Sequence, residues 1–319
     1  MSEACQTIRR AIQSEETALR HEHRWLRHQD MIGFFLFSAS TIGFALSGLA
    51  YYWGHLPAWL CILVSAVFLS IGHEIEHDLL HGLYFQRRKF LKNLMLLVGW
   101  ISRGTTINPW IRRRIHLYHH QYSGELHDAE ERLIGNGMDY RGIKRWLVML
   151  GPWFAPVQGK SLIENGCPFK VPMILSVFPM VGLTTLFLVY WVLLHALGPA
   201  VFPWGQEFVP LWNTLMVAYI APNVLRMFCL QFISSSIHYL GDVHDLSAQT
   251  QVFNSWHWIP FQFFCCNFGA THAVHHFFPN QPFYIRQWLA PKVYSVMRTQ
   301  GIRFNDFGTF QRSNRYGAI

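Results

Sequence analysis

AWLCILVSAVFLSIGHEIEHDLLHG, residues 58–82, carries an uncharged apolar run straight into a cluster of histidines and carboxylates. Ala58 to Gly72 contains no Asp, Glu, Lys or Arg, and His73, Glu74, Glu76, His77, Asp78 and His81 follow without a break. The first part suits a membrane span and the second suits a polar cap, so the stretch reads as a helix leaving the hydrocarbon. If it stays helical, His73, His77 and His81 are spaced i, i+4, i+8 and share one face. Upstream, Met31 to Trp53 is also free of charge. Its 23 residues are enough to cross a hydrocarbon core of about 30 Å. Gly54-His55-Leu56-Pro57 then turns the chain, so the two runs form a helical hairpin.

A second hairpin lies further on. Val171 to Gln206 is uncharged and punctuated near its ends by Pro172, Pro179, Pro199 and Pro203, and Phe208 to Leu225 returns. Four spans are predicted, at about 31–53, 58–76, 173–198 and 208–226. Shorter apolar runs (Leu91–Ile101, Trp146–Val157, Trp256–Phe268) are too short or too interrupted to span and are expected at the interface or against the bundle. Charged residues make up 14% of the 319 positions, against about a quarter in soluble domains, which agrees with a membrane protein. No linker or repeat divides the chain. One domain, 31–319, is expected behind a polar N-terminal segment, 1–30, that has no signal-peptide character. The six cysteines show neither CxxC pairs nor a disulfide framework.

The net charge of +8 has a topological origin. All 26 Lys and Arg residues lie before Met31, between Arg87 and Lys170, or from Arg226 onward, so both hairpin tips lack them. Basic residues favour the cytosolic side, which puts both termini and the middle segment there. No nucleic-acid partner is expected.

Three histidine clusters fall on that cytosolic side, the first where the second span should emerge and the other two within the basic segments. The first is His73/His77/His81; the second and third are HxxHH, at His116, His119, His120 and at His272, His275, His276. With 18 histidines in the chain, one HxxHH is expected by chance about 0.06 times, so a pair is informative. Grouped neutral imidazoles beside lipid call for a cation. Imidazole suits zinc, copper, iron or nickel. Eight or more ligands exceed one tetrahedral zinc and fit two metals. Glu74, Glu76, Asp78, Asp128, Glu130 and Glu131 lie near enough to orient the rings, although Glu76 and Glu131 read as solvated charges. The predicted fold is an all-α integral membrane protein: four transmembrane helices in two hairpins, with a cytosolic helical cap holding the metal site.

These features resemble the membrane-bound fatty acid desaturases and their relatives, the alkane hydroxylases, over nearly the whole chain after residue 30. His77-Asp78-Leu79-Leu80-His81-Gly82 is similar to the family's HDxxHG box, and His116–His120 and His272–His276 to its second and third boxes. Asp128-Ala129-Glu130 looks like the family's Asp-Pro-Glu, with Ala for Pro. Phe277-Phe278-Pro279 resembles the segment after the third box. His238 stands where members supply one more ligand. The resemblance implies two non-haem irons held by His77, His81, His116, His119, His120, His238, His272, His275 and His276. His73 is a possible additional ligand, because His73–His77 also resembles a hydroxylase-type box. Asp128 is a possible supporting group. Ser234 stands where some members place an Asn that holds a metal-bound water.

The family implies O2 activation by the reduced metal pair and removal of two hydrogens from an acyl chain. Side chains alone cannot attack an unactivated methylene. No haem-binding, ferredoxin-type or dinucleotide-binding motif is visible. A separate electron donor of ferredoxin, rubredoxin or cytochrome b5 type is therefore implied, in a bacterial inner membrane or endoplasmic reticulum. Hydroxylation, or oxidative decarboxylation to a terminal alkene, uses the same boxes and is an alternative outcome. A metal transporter is a distant alternative, because its ligands would lie near the bilayer midplane.

Overall fold

A computed structural model describes residues 2–138, 142–168, 175–198, 203–243 and 245–317. Among these residues the regular structure is helical, and extended backbone pairs only at the isolated bridges His238–Thr250 and Val252–Phe304. Four helices are long and apolar enough to cross a membrane: α2 (Gln29–Tyr52), α3 (Ala58–His81), α7 (Met180–Leu197) and α8 (Val209–Ile237). Their outward faces carry Phe35, Ile42, Leu46, Leu197 and Leu211, all exposed. Large apolar side chains placed so are suited to hydrocarbon rather than water.

The predicted spans need correction at their ends. The third helix begins at Met180, not about 173. Residues 173 and 174, and Pro199, lie outside the described residues. The second and fourth helices run on past their apolar parts, to His81 and Ile237. Charged residues within them are buried inside the protein (Glu74, Glu76 and Asp78 beside arginines, Arg226 on a cavity wall), so a charge does not mark the end of the helix. Near Arg226 the fourth helix also passes Pro222, because Met216–Ile220 forms a π turn that shifts the hydrogen-bond register just ahead of the proline.

The cap is built from α1 (Glu3–Glu22), α4 (Lys89–Ser102), α5 (Pro109–Tyr122), α6 (Ala129–Leu133), α9 (Phe268–Phe277) and α10 (Phe283–Thr299). The polar N-terminal segment is thus largely one amphipathic helix. Ile8, Ile12 and Leu19 on α1 are buried against Ala273, Phe277, Leu289 and Val293 of α9 and α10. A second core joins α2, α3 and α4 through Phe37, Ile75, Leu79 and Met95. The N-terminal helix therefore clamps the two C-terminal helices, and one of these carries the third histidine box. Close approach of α2 to the end of α3 needs Gly33, where an added Cβ would meet the Tyr84 ring at 2.6 Å.

Candidate metal centre

Each box sits on a helix with a built start or stop. Gly82 ends α3 in the left-handed conformation (φ 77°), which glycine adopts without strain. Asn108 caps α5, its side chain accepting from the backbone N–H of Trp110 and Ile111 at 3.0 and 3.3 Å, with Pro109 in the first turn. Asn267 precedes α9 in the left-handed region that Asn tolerates (φ 56°).

The nine expected ligands meet in two groups. His77, His81, His116, His120 and His275 form one; His119, His238, His272 and His276 form the other. In each group the ligand atoms lie within 4.8 Å of one another. Each HxxHH divides its rings: the i and i+4 histidines face one group and the i+3 histidine faces the other. Both helices therefore lie across the boundary between the groups. Nε2 atoms approach at 2.9 Å for His81 and His116, 3.0 Å for His120 and His275, and 3.0 Å for His238 and His272. The groups abut, with ring centroids of His120 and His276 5.1 Å apart.

Outer nitrogens find acceptors that fix the tautomer. His116 Nδ1 donates to Glu130 at 2.9 Å, His119 Nδ1 to Asp128 at 2.8 Å, His238 Nδ1 to the Ser234 carbonyl at 2.7 Å and His276 Nδ1 to Gln249 at 3.1 Å. Nε2 is thereby left as a lone pair pointing inward, the arrangement of a metal-binding histidine. His77 is 2% exposed and has no hydrogen-bond partner at either ring nitrogen. A buried imidazole left so is costly, and a cation inside the group would satisfy it. The donor set therefore fits two metals that accept imidazole nitrogen. His275 differs from its neighbours. Its Nδ1 lies 3.0 Å from Arg286 Nη1, which can only donate. Ligation through its Nε2 requires Arg286 to turn onto Glu74 and Asp78, which lie 3.4 and 3.5 Å from its other terminal nitrogen.

Burial disfavours the charged imidazole. It holds His116, His120, His272, His275 and His276 below the ordinary range, with Arg286 adding to the effect at His275 and Glu130 opposing it at His116. It also brings His238 down to about 3, helped by His119. These rings are neutral, the form that binds metal. For His119 burial acts the same way, but Asp128, Glu130 and Glu131 outweigh it and raise the ring to about 10. A metal there displaces a proton.

His73 is not brought into either group. Its Nδ1 accepts from Arg103 at 3.0 Å and its Nε2 lies 3.4 Å from Arg112. Two guanidinium cations flanking the ring leave no place for a third cation. Ser234 lines the adjoining cavity and presents its carbonyl to His238. Asp128 is buried, bonded to His119 and capping α6. Glu76 and Glu131 are not solvated: they are 1% and 0% exposed. Glu76 pairs with Arg103 and Arg112, and Glu131 with His119 and Asn136. In both cases a buried basic or amide partner pulls the carboxylate inward.

Gln249 and Arg286 complete the surroundings of the third box, and sequence reasoning missed both. Neither stands near a motif; only folding sets Gln249 beside His276 and Arg286 beside His275. Asp128→Asn is expected to loosen metal binding about 10–100-fold, the usual cost of losing an outer carboxylate partner of a ligating histidine. Competition with a chelator measures it, and unchanged affinity would show that Asp128 does not orient His119.

The rings border a cavity of about 1690 Å³. His77, His116, His119, His238 and His272 stand on its wall beside Ile107, Leu186, Ile220 and Leu230. Ligand pockets usually measure about 300–1,000 Å³, so this one has room for a long apolar chain.

No curated protein matches the chain closely enough to be counted a relative. The fatty acid desaturase family model matches residues 53–308, which begin just after α2 and take in α3, the second hairpin and all nine converging histidines. That match covers most of the chain, and the protein belongs to the fatty acid desaturase family.

Proposed function

We propose that this protein is a membrane-bound, O2-dependent oxidase of acyl chains that holds two non-haem irons, and that its reaction is desaturation. The convergence of nine imidazoles in a five and a four, with members of both groups on the wall of an apolar cavity, carries this reading. The irons would sit on His77, His81, His116, His120 and His275, and on His119, His238, His272 and His276. When bound and reduced, they supply the O2 chemistry that side chains lack. The protein's own contribution is placement. Asp128, Glu130, Ser234 and Gln249 hold the rings, and the cavity wall holds a chain beside them away from water. Electrons would come from a separate ferredoxin, rubredoxin or cytochrome b5 type donor. Both termini are read as cytosolic from the distribution of Lys and Arg.

Metal analysis and product analysis test the proposal. The purified protein should hold about two irons per chain without a haem absorption band; one zinc, or haem, would overturn it. With a reducing system and medium- to long-chain acyl substrates, the expected product carries a new double bond. Hydroxylated or chain-shortened products alone would keep the oxidase and overturn the desaturase. Hydroxylation or oxidative decarboxylation is the second reading, because the same metal pair serves each outcome and sub-ångström placement of the chain selects among them.

A further inference from the structure

Arg226 on α8 is 2% exposed and lines the cavity. Its Nη2 donates to Thr106 Oγ1 at 3.3 Å, while Nε and Nη1 have no hydrogen-bond partner. The adjacent Thr105 is also buried on the cavity wall, and its hydroxyl has no partner. The other charged groups on the wall are committed. Arg112 pairs with Glu76 at 2.7 Å, Glu130 with His116 at 2.9 Å, and Glu131 with His119 at 3.5 Å. Arg226 is thus a buried cation without a counter-ion among the described residues, facing an apolar space. A buried unpaired charge is strongly unfavourable, and an anion bound in the cavity would neutralise it.

We infer that Arg226, with Thr105 and Thr106, binds the carboxylate of an unesterified fatty acid inside the cavity. This rests on the acyl-chain reading above and adds the head group. One unmatched positive charge balances one carboxylate. Coenzyme A or a phospholipid would bring several phosphate charges or a large polar body against Leu186, Ile220, Val224 and Leu230, where nothing matches them. Arg226 stands about three helical turns before His238, the residue that caps the end of α8. An acid bound there would be held by its carboxyl end on the cavity wall, with its chain free to run toward the histidine groups. The carbon attacked is then counted from that end.

Equilibrium binding of a medium-chain fatty acid, its methyl ester and the matching alcohol to the purified protein tests this, with metal present and with metal removed. The acid should bind at least about tenfold tighter than the ester in both forms. Arg226→Gln should erase that preference while ester affinity stays the same, and Arg226→Lys should retain part of it. Equal binding of acid and ester to the unaltered protein would overturn the inference, and that comparison needs no variant to fold. Preference for the acid persisting in Arg226→Gln would overturn it too. The function proposal fails separately: a protein that prefers acids but takes up no iron leaves the carboxylate site standing, and one that oxidises chains without preferring acids leaves the oxidase standing.

Discussion

His272→Ala should yield a folded protein that has lost turnover and holds fewer than two irons per chain. His272 Nε2 lies 3.0 Å from His238 Nε2 and 3.1 Å from His276 Nε2, in the group of four. Removing it leaves three imidazoles there. The other group of five has a spare member and should tolerate a single loss better. The fall in turnover should exceed the roughly 10–100-fold that follows loss of an outer partner, because the altered group is the one with fewest ligands. His73→Gln is the contrast. That ring is held by Arg103 and Arg112 outside both groups, so iron content should stay at the unaltered level. Iron analysis of the two variants side by side checks the pair. Full iron content in His272→Ala would remove it from the ligand set, and iron loss in His73→Gln would put His73 into it.

The contrast shows which parts of the centre were legible in the sequence. Helical spacing puts two rings of an HxxHH on one face, and the bare hairpin tips point every box to one side. Both are local properties of the chain. The division of each HxxHH between two metal positions is not local. His119 turns from His116 and His120 because Asp128 stands at the start of the next helix, and His275 turns from its neighbours toward His120 and Arg286. The end of the fourth span was hidden for a related reason. Arg226 interrupts an apolar run and therefore looks like the membrane surface, yet its side chain points into the cavity and the helix continues to Ile237. Hydropathy reports composition and does not tell an outward arginine from an inward one. Glu76 and Glu131 looked like solvated charges because their partners stand 27 and 36 positions away in one case, and beyond the end of a short helix in the other.

Glu76→Ala should be among the most destabilising single substitutions in the chain. Glu76 is 1% exposed, and its two oxygens face Arg103 and Arg112. Arg103 is equally buried and Arg112 is mostly so. Without the carboxylate, two guanidinium groups remain beside His73 with no counter-charge, and Arg226 is a third cation on the same side of the cavity. Breaking a buried pair by removing one partner costs about 3–5 kcal/mol, since the remaining charge stays buried. Glu76→Gln keeps the shape and some hydrogen bonding but not the charge, so its loss should fall between that of Ala and the unaltered protein. A double variant, Glu76→Ala with Arg103→Met, should recover part of the loss, because it removes one of the stranded charges along with the carboxylate. Thermal midpoints of the detergent-solubilised variants give the order. A Glu76→Ala protein within about 0.5 kcal/mol of the unaltered one, the range of an ordinary surface change, would mean that Glu76 meets water and that the arginines beside His73 find their counter-charge elsewhere. The expected order instead ties the metal end of α3 to α5 through one carboxylate. Loss of Glu76 should then also weaken metal retention, through movement of the helix that carries His116, His119 and His120.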